Sequence, residues 1–324
     1  MRLLLAGGAG YIGSVLAPKL VARGYQVDVV DLLWFGNALP ETVRVTTRDV
    51  LAIQPADVHG YDQVVFLAGL SNDPMAEFSP GMNFMQNAAA PAFLAYLAKK
   101  AGVRRFIYAS SCSVYGYSVD ELCDENGATA SQYPYGISKL QGELGVRHLQ
   151  DDSFSVIALR MGTVCGHSPR MRFDLVVNTM FKTAVTENRI TVTNPSIWRP
   201  ILGIQDAADA YVRAIEADSQ ISGVFNVASG NFTLGEIADY VDSTLRSELN
   251  LEAQLDIRHV EDVRNYKVDF SKAERVLGFR PAQDISRIVG ELINHRLEYG
   301  DMADHKYSNI AVFKSIDLKL GSST

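Results

Sequence analysis

The sequence predicts an α/β protein built on a doubly wound parallel sheet, with a smaller C-terminal cap domain. Short apolar runs recur in the first half of the chain, at residues 3–6, 27–30, 43–45, 64–68, 105–108 and 155–159. Helical patterns alternate with them, at 12–22, 91–101 and 139–150. Strands that are apolar along their whole length are buried on both faces, which places helices on both sides of a parallel sheet.

This alternation of strands and helices ends after about residue 160. Loops rich in Gly, Pro and Arg at 162–172 and 194–203 flank a helical pattern at 175–185, which indicates a cap. An amphipathic helix at 206–217 and an apolar run at 223–228 indicate a return to the sheet. The predicted domains are residues 1–165, joined by 203–228, and a cap of residues 166–202 and 229–324, whose polar end from about Asp301 forms an extension or tail.

Composition excludes several classes of protein. A chain of 324 residues with 47% hydrophobic content can bury a large core. A net charge of -7 and an isoelectric point near 5.4 argue against nucleic-acid binding, which uses basic surfaces. Neither a membrane-length apolar run of roughly 18 residues nor a signal-peptide pattern is present, so we expect a cytoplasmic protein without membrane contact.

The cysteines give no sign of a metal centre. Cys112, Cys123 and Cys165 are odd in number and lack C-x-x-C spacing. Such a set predicts neither a disulfide framework nor a zinc site. We therefore expect no metal and a reducing compartment.

A glycine-rich turn directly follows the first predicted strand and opens a helix. Its residues are Gly7, Gly8, Ala9, Gly10, Tyr11, Ile12 and Gly13. This arrangement directs backbone N–H groups and the positive end of a helix dipole at a pyrophosphate, and glycines permit its close approach. Asp31, at the end of the second strand, suits the ribose hydroxyls of adenosine and repels a 2′-phosphate. The sequence therefore predicts NAD in preference to NADP.

Tyr135 and Lys139 are four residues apart, on one face of a predicted helix. A nearby cation stabilises a phenolate, so Lys139 is expected to lower the pKa of Tyr135 and make it a base. About two dozen residues earlier, the strand at 105–108 leads into hydroxyl side chains that include Ser111. Tyr135, Lys139 and Ser111 are the predicted catalytic residues.

With these landmarks the chain resembles the extended short-chain dehydrogenase/reductase family. The similarity is to its nucleotide-sugar epimerases and dehydratases, the branch that includes UDP-galactose 4-epimerase, and it covers about residues 1–290. Beyond the glycine turn, Asp31 and the catalytic residues, the matching positions are Asp49, Val50, Leu67, Ala68, Gly69, Leu70, Asn87, Tyr115, Gly116, Leu159, Arg160, Arg199 and 269–273. The resemblance implies a Rossmann domain that binds NAD.

The resemblance also implies roles for individual residues. Ser111 would bond the substrate hydroxyl and Tyr135, and Lys139 would hold the nicotinamide ribose. The implied cofactor-binding residues are Gly7, Gly10, Tyr11, Ile12, Gly13, Asp31, Asp49, Val50, Leu67, Ala68, Gly69, Asn87, Tyr135 and Lys139, with Asp49 and Val50 at adenine and Asn87 at the nicotinamide end. The substrate would be a nucleotide-diphosphate sugar whose diphosphate binds Asn178, Arg199 and Arg264. A diphosphate bound by an acidic protein needs such donors, and Arg170 and Arg172 also lie in the cap half.

Some positions depart from the family pattern. Cys112 and Ser113 stand where 4,6-dehydratases carry Asp-Glu, so the acid that expels a C6 hydroxyl is missing. Ordinary 4,6-dehydration is therefore not expected, and Cys112 is interpreted as a small buried residue. Thr163 replaces the usual Asn, and His259 a usual Arg, so galactose specificity is not assumed.

The expected activity is that of an NAD-dependent nucleotide-sugar 4-epimerase, which oxidises C4 to a ketone and reduces it again from the other face. The same residues would serve a 4-dehydrogenase or a ketoreductase, and the sequence leaves these open. A different class, an NAD-sensing protein without catalysis, would not need the intact Ser111, Tyr135 and Lys139. The resemblance also implies a homodimer, in which the helices at about 87–101 and 135–150 form an intermolecular four-helix bundle.

Overall fold

The structure is a computed structural model that describes residues 1–260 and 264–321, with the side chains of 119–121 and 317–321 left aside. Its strands are β1 (Arg2–Ala6), β2 (Gln26–Asp31), β3 (Arg44–Thr47), β4 (Gln63–Phe66), β5 (Arg105–Ser111), β6 (Tyr117–Cys123), β7 (Ser155–Met161), β8 (Thr163–Cys165), β9 (Arg189–Thr193), β10 (Trp198–Gly203), β11 (Gly223–Val227), β12 (Gly230–Thr233), β13 (Gln254–Arg258) and β14 (Asn265–Val268). Its helices are α1 (Gly13–Ala22), α2 (Asp73–Phe78), α3 (Pro80–Phe84), α4 (Ala90–Lys100), α5 (Pro134–Arg147), α6 (Val176–Glu187), α7 (Ile204–Glu216), α8 (Leu234–Leu249), α9 (Ser271–Leu277), α10 (Ile285–Asn294) and α11 (Asn309–Gly321).

The described ranges contain a central sheet of seven parallel strands in the order β11-β7-β5-β4-β1-β2-β3. Strand β1 shows why the apolar runs predict this arrangement. Leu3 and Leu5 belong to the core on one face of the sheet, and Leu4 and Ala6 to the core on the other. The predicted doubly wound α/β fold is confirmed.

The strand order reverses between β1 and β4, because the chain first builds outward to β3 and then crosses back. At such a point the loops at the carboxyl ends of the strands separate and leave a crevice. The glycine turn follows β1 and Ser111 ends β5, so both lie at this edge of the sheet. The topology therefore brings both segments to the edge of the sheet where such folds form a crevice.

The later half of the chain contributes both to the central sheet and to the predicted cap. The segment expected to return to the sheet supplies α7 and β11, and β11 pairs with β7. Strands β9 and β13 form a small sheet in the predicted cap, and β10 and β12 form another with β8, which lies at the end of the predicted domain 1–165. The division into two domains itself stays a prediction.

Two segments differ from the sequence prediction. Helix α5 begins at Pro134, before the apolar pattern at 139–150 and one residue before the helix expected at about 135–150, because proline is favoured at the first position of a helix. The polar segment after Asp301 folds back and forms α11, since Phe313 is 1% exposed in a small apolar cluster with Leu70 and Met75. Within the described residues, no helix combines the length and apolar character that a membrane crossing requires.

Candidate active site

The glycine turn after β1 has the geometry that a dinucleotide requires. Gly7 has a φ of +79°, and a Cβ there would stand 2.4 Å from the backbone nitrogen of Ala68. A Cβ on Gly13 would stand 2.2 Å from the carbonyl oxygen of Gly8. Asp31 fixes the turn, because its carboxylate accepts hydrogen bonds from the N–H groups of Ala9 at 3.0 Å and Leu33 at 2.8 Å. Partial burial raises the pKa of the Asp31 carboxyl.

A cleft of about 760 Å³ opens at this edge of the sheet, between the carboxyl ends of the strands and the cap. Most of the residues predicted to form the site line it. They are Gly7, Gly10, Tyr11, Ile12, Gly13, Asp31, Val50, Leu67, Ala68, Gly69, Ser111, Tyr135, Lys139, Arg199 and Arg264. The cleft is thus long enough to bring the predicted cofactor residues and the predicted substrate arginines into one space.

Ser111 and Tyr135 both line the cleft. Ser111 ends β5 and Tyr135 lies in the first turn of α5, and the Ser111 hydroxyl favours the phenolate form of Tyr135 and so lowers its pKa. The Ser111 Oγ also accepts a hydrogen bond from the N–H of Ser113 at 3.1 Å, which fixes its position. The pair can pass a proton between a bound hydroxyl and the phenol.

The expected lowering of the Tyr135 pKa is not found. Burial raises the pKa of Tyr135 to about 12, and the nearby Ser111 hydroxyl only partly offsets this effect. Lys139 is 5% exposed, and burial lowers its own pKa to about 7. A lysine that is only partly charged at neutral pH stabilises a phenolate less than the sequence argument assumed.

A buried ion pair stands behind Lys139. Glu143, one helical turn further along α5, accepts two bonds from Arg160, at 2.8 and 2.9 Å. Ser110 donates to the same carboxylate at 2.7 Å, and Arg160 donates to the hydroxyl of Tyr115 at 2.8 Å. This network holds α5 against the ends of β5 and β7, and the charge of Glu143 raises the pKa of Lys139.

Asn87 and Asp49 are not among the cleft-lining residues. Asn87 is fully buried, and its amide donates to the carbonyl of Leu70 at 3.0 Å. It therefore holds the segment after β4 in place from the interior of the protein. A Cβ at Gly69 would stand 2.0 Å from the Asn87 Oδ1. Asp49 caps the short turn that carries Val50 by accepting from the N–H of Leu51 at 2.9 Å. Their direct contact with a cofactor stays a prediction.

Asn178 is also fully buried, outside the cleft lining. Its Oδ1 accepts from the N–H of Gly166 at 2.9 Å, and its Nδ2 donates to the Tyr11 hydroxyl at 3.1 Å and the Arg172 carbonyl at 2.8 Å. The geometry therefore favours a role in holding the loop 166–172 over the predicted contact with a diphosphate. That contact would break bonds that the side chain already makes.

Arg199 and Arg264 reach the cleft from the cap. Arg199 lies in β10, not in a loop, and donates to the carbonyl oxygens of Trp198 at 2.9 Å and of Arg264. Arg264 forms an ion pair with Asp73 at 2.6 Å and lies over the ring of Tyr133. Both guanidinium groups remain candidates for a diphosphate.

Asp73 is a cleft residue that the sequence argument missed. It follows β4 by seven positions, begins α2 and is 8% exposed. It lines the same cleft as Tyr135, and its charge raises the pKa of that tyrosine. The available signal was its place in a polar loop at the carboxyl end of a sheet strand, where such crevices form.

Cys112 has the environment of a structural residue. It is 1% exposed, burial raises its pKa strongly, and its Sγ lies 3.1 Å from the carbonyl oxygen of Arg160. Thr163 lines the cleft, whereas His259 is exposed.

Among the described residues, one group has metal-ligand composition: His167, His295 and Glu298. The two imidazole rings are stacked, with centroids 3.6 Å apart and planes 4° from parallel. A metal ion lies near the plane of each imidazole that binds it, and two parallel planes share no such point. The absence of a metal stays an expectation from the sequence.

The sequence model of the NAD dependent epimerase/dehydratase family matches residues 3–228. The chain therefore belongs to the NAD dependent epimerase/dehydratase family, and the resemblance described from its motifs is confirmed. NAD is the cofactor of this family, and the glycine turn, Asp31 and the length of the cleft fit it. The residues that would hold it are those of the turn, Asp31, and the segment from Leu67 to Gly69.

Relatives of known activity differ in the reaction named for them. The chain is 28% identical to UDP-glucuronic acid decarboxylase 5 of Arabidopsis thaliana, over 87% of this chain and 85% of that protein. It is 24% identical to UDP-glucose 4-epimerase of Bacillus subtilis (strain 168), over 90% and 95%. The structure of MoeE5 in complex with UDP-glucuronic acid and NAD superposes with a TM-score of 0.81 at 25% identity, covering 92% of this chain and 99% of that one.

Proposed function

We propose that this protein is an enzyme that acts on nucleotide-diphosphate sugars, and that its reaction is 4-epimerisation. The observation that carries the proposal is the presence of Ser111, Tyr135 and Lys139 in the lining of one cleft, together with the glycine turn and the arginines of the cap. An NAD-sensing protein would have no use for Ser111, Tyr135 and Lys139 together. The arginines of the cap supply the donors that a diphosphate requires.

The residues divide the reaction between them. Tyr135 takes the proton of the sugar O4 hydroxyl, and Ser111 holds that hydroxyl and the phenol in line. Lys139, when charged, stabilises the phenolate. NAD supplies the hydride acceptor, and after hydride transfer the hydride donor, at C4. Arg199 and Arg264 would hold the diphosphate while the ketone turns, and Tyr135 would return its proton to O4 when C4 is reduced from the other face.

Decarboxylation of a UDP-uronic acid is the second candidate, because a decarboxylase is among the relatives. It begins with the same oxidation at C4. The charges around Tyr135 do not separate the two reactions, because Asp73 raises the pKa of Tyr135, Arg172 lowers it, and Asp73 is paired with Arg264. The mass of the product separates them.

A panel of nucleotide sugars tests the proposal. UDP-, GDP-, dTDP- and CDP-hexoses and UDP-glucuronic acid are incubated with the protein and NAD and analysed by chromatography and mass spectrometry. A new isomer of unchanged mass supports epimerisation. Loss of carbon dioxide indicates a decarboxylase, loss of two hydrogens a dehydrogenase, and loss of water a dehydratase. The absence of any product and of nicotinamide reduction across the panel would favour the sensor.

We also propose a homodimer formed through α4 and α5. These helices contact each other, and a Cβ on Gly145 would stand 3.0 Å from the Ala92 Cβ, so they pack closely. Tyr96 on α4 and Leu144 on α5 are about half exposed, at 49% and 54%. Apolar side chains in such positions suit burial against a second copy.

We also propose a cytoplasmic location, and the three free cysteines agree with a reducing compartment.

A further inference from the structure

The C-terminal segment lies against the cofactor side of the cleft, beyond the part of the chain that the family model covers. Tyr307 anchors its start, since its carbonyl accepts from the N–H of Phe173 at 2.9 Å and its hydroxyl donates to the carbonyl of Tyr299 at 2.5 Å. Helix α11 follows directly, at Asn309. The segment is therefore fastened to the cap before it reaches the cleft.

Helix α11 connects the two loops that border the cofactor region. Phe313 packs against Trp34, with ring centroids 5.4 Å apart, and against Phe78, at 5.9 Å. Trp34 lies just after β2, whose last residue is Asp31, and Phe78 ends α2 in the segment after β4. A contact on both sides makes the helix a bridge across this end of the cleft.

Asn309, the first residue of α11, lines the cleft and is 4% exposed. Its Nδ2 donates to the Ser71 hydroxyl at 2.6 Å, and its Oδ1 accepts from the Nη2 of Arg170 at 2.5 Å. Its backbone N–H donates to Asp174 at 3.2 Å. One side chain thus joins the loop after β4 to the loop that carries Arg170.

Arg170 is a buried cation that keeps one hydrogen-bond donor unused, although the charges of Asp174 and Asp31 act on it. Its guanidinium lies 3.9 Å from the ring centroid of Phe35, the residue is 5% exposed, and its Nη1 has no hydrogen-bond partner. Burial lowers its pKa to about 9. A buried cation with an unsatisfied donor is unfavourable unless a ligand pairs with it.

The loop that carries Arg170 lies against the glycine turn. The Ser168 hydroxyl donates to the Tyr11 carbonyl at 2.8 Å, and the Tyr11 hydroxyl donates to the Gly166 carbonyl at 2.6 Å. The glycine turn is the place where backbone N–H groups receive a pyrophosphate. The unpaired donor of Arg170 is therefore held beside the position of the anion that this family binds.

We propose that residues 301–321 form a strap over the cofactor and that Asn309 is a positioning residue, which holds the Arg170 guanidinium for the NAD pyrophosphate. The strap closes the adenosine end of the cleft, so the cofactor is retained between turnovers. This inference concerns NAD alone and holds for any reaction at the sugar end.

Calorimetry of ADP-ribose and adenosine binding to the 324-residue chain tests the proposal. Fluorescence follows the release of bound NADH. ADP-ribose contains the pyrophosphate and adenosine does not. We expect Asn309→Ala and Arg170→Ala each to lower the affinity for ADP-ribose about tenfold or more. The affinity for adenosine should stay within about twofold of the wild-type value. NADH release should accelerate by a similar factor. Because the two residues act as one unit, the double variant should be little weaker than either single variant.

His305→Ala is the matched control, since this side chain lies on the same segment and is 72% exposed. It should bind both ligands as the wild type does. Arg170→Lys retains a charge without the bond geometry and tests the same claim should Asn309→Ala fail to fold. Wild-type affinity for ADP-ribose in folded Asn309→Ala, or in Arg170→Lys, would overturn the proposal, as would equal weakening of adenosine. None of these measurements uses a nucleotide-hexose or depends on turnover, so their failure is distinguishable from failure of the nucleotide-sugar panel.

Discussion

The Glu143 carboxylate and the Arg160 guanidinium form a two-bond ion pair, 0% and 3% exposed, one helical turn from Lys139. Removal of one partner from a buried pair is strongly destabilising, because the other charge remains without compensation. The pair also contributes a negative charge near Lys139 and raises its pKa. It therefore connects the stability of the core to the charge state of the site.

Burial lowers the pKa of Lys139 to about 7, and Glu143→Gln should lower it further. The substitution removes the negative charge that stabilises the protonated lysine. If the charged lysine supports Tyr135, the alkaline limb of the kcat profile reports this ionisation: activity falls as pH rises through the lysine pKa. The limb should move to lower pH in Glu143→Gln. Glu236→Gln, at the surface cap of α8, is the control. An unshifted limb in a folded variant would show that Glu143 is only structural.

Tyr135→Phe should reduce kcat by about 10² or more, since it removes the acid/base group. Folding and NAD affinity should stay close to wild type, because the ring is retained. Stopped-flow reduction of bound NAD measures the loss of catalysis, and a thermal melt measures whether the variant stays folded. A variant that keeps more than about a tenth of kcat, a barrier change below ~1.4 kcal/mol, would contradict the assignment.

Asp31→Ala should lower the affinity for NAD and reduce the ratio of NAD affinity to NADP affinity. Asp31 is expected to accept hydrogen bonds from the ribose hydroxyls and to repel a 2′-phosphate. The structure adds a second effect: the carboxylate also fixes the glycine turn through the N–H of Ala9. Asp31→Asn separates the two, since it retains an acceptor for the turn and loses the charge. Equal NAD and NADP affinities in the wild type would refute this account.

Arg199→Ala should raise KM far more than it lowers kcat, because a diphosphate is bound alike in the ground and transition states. Loss of charge-assisted bonds of about 1.5–3 kcal/mol each predicts at least a tenfold rise. A moderate loss of thermal stability should accompany it, since Arg199 also holds the Arg264 carbonyl. Arg280→Ala, with an 81% exposed side chain, is the control. A large loss of stability with KM unaltered would make Arg199 purely structural.

Leu144→Glu should convert the proposed homodimer to a monomer, because it places a charge in the apolar contact of α5. Leu297→Glu is a matched change at a side chain that is 87% exposed and distant in sequence from α4 and α5. Light scattering at micromolar concentration distinguishes the two states. A monomer mass for the wild type would contradict the proposal.

Long-range contacts decided the features that the sequence did not predict. Lys139 was expected to lower the pKa of Tyr135, yet burial has the larger effect and depends on the side chains packed around both. Asn178 was expected at the diphosphate, yet its bonds to Gly166 and Tyr11 place it below the loop. Burial and partners of this kind come from segments far apart in the chain, and no local pattern records them.

The sequence by itself determined the doubly wound sheet, the glycine turn with Asp31, and the Ser111, Tyr135 and Lys139 set. The sheet and the glycine turn depend on local periodicity and on backbone requirements within a few residues, whereas the set of Ser111, Tyr135 and Lys139 was predicted from the Tyr–Lys spacing and from the resemblance to a known family. Only the tertiary structure brought Asn309 to Arg170, 139 positions earlier in the chain, and Asp73 to Arg264. The polar residues of the C-terminal segment carry no periodic signal for that position, because the contact exists only once the sheet and the cap have packed.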